Sequence, residues 1–168
     1  ADINVADAWK LTAGDPRVIV AVLDEGVKYT HPDLAANMWT NPNETDGDGV
    51  DNDGNGYVDD LYGYNFVDNG PITWDKFYTQ GGKEYSDSGH GTHVAGTIAA
   101  VNNNGIGVGG IAGGTGSGDG VRIMSCQIFS ASISATDYAT SRAIKYAADN
   151  GACILQCSYG YTGTDITS

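Results

Sequence analysis

"RVIVAVLD", residues 17 to 24, is apolar at every position from Val18 to Leu23 and then ends on a carboxylate. A strand with one solvated face alternates apolar and polar residues, whereas one buried on both faces reads as an unbroken apolar, β-branched run. The stretch is therefore expected to be an interior strand of a parallel sheet with helices on both sides. Asp24 then stands at the strand's carboxyl end, the edge where ligands and catalytic groups collect in open α/β sheets. Taken alone, it is better read as a residue that caps the turn at Glu25-Gly26.

The same pattern recurs outward from this strand. "VRIMSCQIF" (121 to 129) and "ACILQCSYG" (152 to 160) read as a second and a third buried strand. Between them "ATDYATSRAIKYAADNG" (135 to 151) reads as a helix, with Tyr138, Ala139, Ala143, Ile144, Tyr146 and Ala147 mostly along one face. "ADINVADAWKLT" is expected to be a helix that leads, after a turn at Gly14-Asp15-Pro16, into the first strand. "HVAGTIAAV" (93 to 101) is a narrow helix of small residues, suited to close packing. Residues 41 to 60 and 109 to 120 are glycine-rich loops, and there is no internal repeat. The expected fold class is α/β, three-layered, around a mostly parallel sheet.

Length and composition narrow the function. A chain of 168 residues suits one domain, and 40% apolar with 17% charged residues is globular composition. The 21 acidic residues against 8 basic ones give a net charge of -13, which repels a phosphate backbone and attracts cations. No stretch approaches the roughly 20 apolar residues of a membrane helix, and the N-terminus lacks a basic start followed by an apolar run. A soluble, already processed chain that binds neither nucleic acid nor membrane is expected. Cys126, Cys153 and Cys157 all lie in apolar runs and are expected in the core; their odd number argues against a disulfide framework.

"SGHGTHVAGTIAA" (88 to 100) carries two histidines three residues apart. A zinc helix spaces its histidines at i and i+4 around a Glu, but here Gly91 and Thr92 intervene. A buried histidine pair is one reading. The other places His90 at the helix's N-terminal edge as a base, its tautomer fixed by a carboxylate such as Asp24, with His93 packed inward.

"DGDGVDNDGNGYVDD" (46 to 60) crowds Asp46, Asp48, Asp51, Asp53, Asn55, Asp59 and Asp60 into one loop. With Asp51 at position 1 of a calcium loop, Asp53 and Asn55 take positions 3 and 5, Tyr57 the carbonyl position and Asp59 position 9. Tyr62 stands where an EF-hand has its bidentate Glu, so the loop is not an EF-hand. Carboxylates this close repel one another unless a hard cation neutralises them, and calcium is the expected ligand; a solvated acidic loop is the alternative.

"VAVLDEGV" with "HPDL", "HGTHVAGTIA" and "VRIMSCQIF...ILQCSYG" resemble, in that order, the N-terminal half of the catalytic domain of subtilisin-like serine proteases. The resemblance spans nearly the whole chain, and "HGTHVAG" is its most specific part. It implies a subtilisin-like fold over residues 1–168 with an acidic insertion at about 41–62. It also implies that Asp24 and His90 are the triad aspartate and general base, and that His93 is structural. The family's serine lies in a Gly-Thr-Ser motif opening a later helix, and its oxyanion-hole Asn follows a further strand. Neither motif occurs before Ser168, so the resemblance implies that this chain supplies Asp and His only and is inactive alone. The remainder would come from a complementary C-terminal half, or the exposed sheet edge would drive self-association.

The resemblance further implies a polypeptide substrate lying between Ser158-Tyr159-Gly160 and the segment around Ser130 to Ser132. It implies a second calcium site of Asp33 with Asn103 or Asn104, and a secreted or cell-envelope location. Glu25, Gln127 and Gln156 depart from the family pattern, where a small hydroxyl residue, Lys and Asn are usual. A carboxylate at position 25 is expected to raise the His90 pKa. The rival reading is a catalytically dead subtilase-fold pseudoenzyme or interaction domain. A calcium-binding structural module accounts for the loop but leaves Asp24 and His90 without a role.

Overall fold

The computed structural model describes residues 3–74, 77–86, 89–130 and 133–160. In chain order the elements are a helical turn α1 (Val5–Ala8), strand β1 (Ile19–Asp24), a 3-10 turn (Ala35–Asn37), β2 (Gly63–Asn65), β3 (Phe77–Gln80), β4 (Lys83–Ser86), helix α2 (His90–Ala99), β5 (Arg122–Gln127), helix α3 (Asp137–Asp149) and β6 (Ile154–Gln156). Four strands form one parallel sheet in the order β2-β5-β1-β6, as expected of an α/β fold. β1 is interior, paired along its whole length with β5 from Ile19↔Arg122 to Asp24↔Gln127.

Each side of the sheet packs its own core. Ala21, Leu23, Met124 and Cys126 meet Ala139, Ala143, Tyr146 and Ala147 of α3, whereas Val20, Val22 and Ile123 meet Ala95 and Ala99 of α2. The unbroken apolar run of β1 thus resolves into two alternating sets, one for each helix layer. Helix α3 is capped by Thr136, whose side chain accepts from the Ala139 amide. Asn37 caps the other end of α2, its amide donating to the Ala99 carbonyl at 2.9 Å and to Gly113 at 3.1 Å.

Several expectations need correction. The N-terminal helix is only the turn Val5–Ala8; none of its residues is buried, and a segment this short cannot sustain a helix without packing. On α3, Tyr138 and Ile144 are exposed, because each lies one residue, about 100°, off the buried stripe. Cys126 is buried, but Cys153 and Cys157 are exposed. They flank β6, which has β1 as its strand neighbour on one side only, so Ile154 and Leu155 are exposed as well. Two pairings were not anticipated: β2, only three residues long, and the β3–β4 hairpin, which turns through Gly81-Gly82 with both φ angles positive.

Candidate active site

Alternation along β1 carries Val20 and Val22 toward α2 and directs Asp24, two residues on, to the same side. Helix α2 opens at that level with His90. The ring Nδ1 lies 2.8 Å and 2.9 Å from the two carboxylate oxygens of Asp24. Asp24 is fully buried, while the His90 side chain is 46% exposed. An Nδ1–H that donates to the carboxylate fixes the neutral tautomer, in which Nε2 carries the basic lone pair on an accessible ring. The hydrogen bond to Asp24, helped by the Asp24 and Glu25 charges, raises the His90 pKa above its ordinary value against the opposing effect of desolvation. Burial raises the Asp24 carboxyl, against hydrogen bonds from His90 and the Glu25 amide.

This approach requires glycine at position 91. A Cβ there would stand 2.2 Å from the Glu25 carbonyl oxygen and 3.3 Å from Asp24 Oδ1. Gly91, Ala95 and Ala99 form the buried stripe by which α2 meets the sheet. The Thr92 hydroxyl accepts from the Lys28 amide at 2.9 Å and ties the same turn to the chain after β1. His93 contradicts the expectation that it packs inward. It lies about 200° around the helix from Gly91 and is exposed, lining an apolar cavity of about 680 Å³ with Lys28, Trp74 and Ile111.

The expected substrate-flanking segments leave the strands on either side of β1. Phe129 and Ser130 follow β5, while Ser158 to Gly160 follow β6, whose Gln156 pairs with Val22. Ser130, Tyr159 and Gly160 line one hollow of about 360 Å³, across which the Phe129 and Tyr159 rings meet edge to face at 6.0 Å. Ser158 faces a different hollow, with His93, and accepts from Gln156 Nε2 at 2.9 Å. Ser132 lies outside the described residues. Gln127 is buried; its amide binds Thr73 through both backbone and hydroxyl and fastens that loop beside Gly26.

In the acidic loop the structure brings Asp51 and Asp53 to Glu44, a residue the sequence reading passed over. Among the described residues these three form the group of carboxylate oxygens that lie within 4.8 Å of one another. Asp46 and Asp59 line a separate hollow beside Tyr29, and Asp48 binds the Asn52 amide. Asn55 donates its side-chain amide to Asp53 and to Asp60. Tyr57 packs its ring edge to face against Tyr64, Phe66 and Tyr146. Asp60, fully buried, accepts from Tyr146 Oη at 2.6 Å and from Asn41 and Asn55, and burial raises its carboxyl pKa. Glu44 Oε1 accepts from the Asn52 amide, while Oε2 is buried with no hydrogen-bond partner. Glu44 escaped the sequence reading because the calcium-loop spacing was counted from Asp51 onward; the signal for it was a lone acidic residue at the loop's entrance.

At the second expected cation site, Asn104 rather than Asn103 meets Asp33, donating to Oδ1 at 2.7 Å. Asn103 turns away, its amide bound to the Thr115 carbonyl. Oδ2 of Asp33 accepts from the Val108 amide at 2.9 Å.

Residues 15–167 match the subtilase family. The halolysin of Haloferax mediterranei is 35% identical over 158 residues, which are 94% of this chain and 24% of that protein. Subtilisin-like protease 1 of Plasmodium berghei is 44% identical over 93 residues, 55% of this chain and 14% of that protein. Fervidolysin from Fervidobacterium pennivorans, a keratinolytic enzyme related to subtilisin, superposes with a TM-score of 0.51 at 27% identity, over 89% of this chain and 18% of its own. The chain thus spans under a third of the length of these relatives, and with its fold and its matched residues it belongs to the subtilase family.

Proposed function

We propose that the full-length protein is a serine endopeptidase and that this chain supplies the Asp24 and His90 members of its triad. The observation that carries the reading is the Asp24–His90 pair: a buried carboxylate bound to Nδ1 of an accessible imidazole. In this mechanism His90 Nε2 takes the proton of a serine hydroxyl as the oxygen attacks a peptide carbonyl, and returns it to the leaving amine. Asp24 stays ionised, holds the tautomer and stabilises the imidazolium. The serine of this mechanism is one that residues 1–168 do not supply, and the chain alone is expected not to turn over substrate. A complementary C-terminal part, or a second copy, would cover the β6 edge, where Ile154 and Leu155 are exposed. An extended peptide would run between the Ser130 segment and Ser158 to Gly160, bound largely through its main chain.

Calcium is the cation proposed for the acidic loop. The donor set is all carboxylate, and the unpartnered buried Glu44 Oε2 points to a hard cation there, with Asp51 and Asp53 completing the cluster. Bound calcium would neutralise the three charges. Asp33 with Asn104 is the second proposed site. An extracytoplasmic location fits a relative named as an extracellular protease, and among the described residues no helix is long and apolar enough to cross a membrane.

The decisive test is peptide hydrolysis by the full-length protein and its His90→Ala variant. Turnover should fall about a millionfold, the magnitude set by subtilisin itself. A variant that cleaves like the parent removes the proposal, as does a parent that cleaves no peptide.

A further inference from the structure

We propose that Glu25 is a positioning residue, which sets the place of the His90 imidazole by capping helix α2 from the end of the neighbouring strand. This rests on the peptidase reading of Asp24 and His90. The first amides of a helix lack intrahelical acceptors, and a side chain at the N-cap normally serves one of them. The N-cap of α2 is Gly89, held at φ 75°, which offers no side chain. The His90 amide instead donates to Glu25 Oε2 at 3.1 Å, across 65 residues of sequence. Glu25 is only 8% exposed, so its carboxylate lies out of bulk water against the positive end of the helix.

Two consecutive residues of one strand end therefore hold His90 at two points. Asp24 binds the ring and Glu25 binds the backbone amide, so the ring's orientation and the helix's first turn each have a partner at the end of β1. The Glu25 carbonyl lies where a Cβ at position 91 would collide, which fixes how closely α2 approaches. Of the charged and titratable groups around this turn, Asp24 at the end of β1 and Glu25 just after it face His90, and Lys28, His31, Asp33 and His93 line the cavity beside Gly89 and Thr92. The Glu25 charge adds to that of Asp24 in favouring the imidazolium.

The test compares Glu25→Gln and Glu25→Ala in the full-length protein. It reads kcat and KM for a peptide substrate against pH, and the His90 ring titration by NMR. The Ala variant loses both acceptor and charge; its kcat should fall on the order of tenfold with KM little changed. The Gln variant retains an acceptor for the amide, so its kcat should fall less. Its acid limb and its His90 midpoint should both move to lower pH. A His90 midpoint in the Gln variant equal to the parent's, or an Ala variant with the parent's kcat, overturns the proposal. Should the Ala variant not fold, the near-isosteric Gln variant still decides it. A parent that cleaves no peptide, combined with a lowered His90 midpoint in the Gln variant, removes the peptidase reading and supports the role of Glu25.

Discussion

At residue 91 a single hydrogen atom in place of a side chain sets the geometry of the pair. Gly91 has an ordinary helical position, so its identity follows from space and not from backbone strain: an added Cβ would meet the Glu25 carbonyl at 2.2 Å. Gly91→Ala should push α2 off the end of β1, destabilise the fold by about 1–3 kcal/mol, and lower kcat through the lengthened Asp24–His90 contact. Chemical unfolding and peptide hydrolysis by the full-length protein read both effects, and a stability change below about 0.5 kcal/mol would show that the contact is slack. The raised His90 pKa has a signed consequence. A base must be neutral to accept a proton, so activity should climb with pH through a midpoint above the ordinary imidazole value. The same shift stabilises the fold below the unfolded-state imidazole pKa, and this contribution fades as pH rises through the folded-state value. An acid limb centred below the ordinary imidazole value would contradict the assignment of His90 as the base.

Between elements, the coupling of the acidic loop to α3 stands out. Tyr146 of α3 reaches through the core to Asp60, while its ring packs edge to face against Tyr57 and Phe66. Burial and the Asp60 carboxylate push the Tyr146 hydroxyl pKa far up, which keeps it a neutral donor. Tyr146→Phe keeps the ring contacts and removes only that donor to a buried carboxylate. It should cost about 1–3 kcal/mol in denaturant unfolding, with an unchanged slope. A neutral substitution would mean that Asn41 and Asn55 alone satisfy Asp60. The pairing was not legible in sequence. Periodicity put Tyr146 on the buried face of a helix, and nothing local says which loop carboxylate a buried hydroxyl will meet 86 residues away.

Across the whole molecule, net charge and cation binding are linked. A chain of net charge -13 repels itself, and among the described residues Glu44, Asp51 and Asp53 bring three carboxylates together. Calcium that binds the folded state at a hundred times its Kd should stabilise it by about 2.7 kcal/mol, with Tm rising on addition and falling on chelation. Glu44→Gln should abolish most of that shift; an unchanged calcium response would move the site elsewhere in the loop. The sequence by itself determined the α/β class, the interior strand β1 and the close-packed α2, and placed Asp24 at the end of that strand. These are local patterns, and period-2 and period-3.6 burial write them directly into the order of side chains. Only the tertiary structure decided that Glu44 completes the carboxylate cluster, that Asn104 and not Asn103 meets Asp33, and that His93 and the cysteines beside β6 are exposed. It also decided that Glu25 reaches the His90 amide. Each of these depends on which distant segments the sheet order brings side by side, and on which face a neighbour covers, and chain order does not encode either one locally.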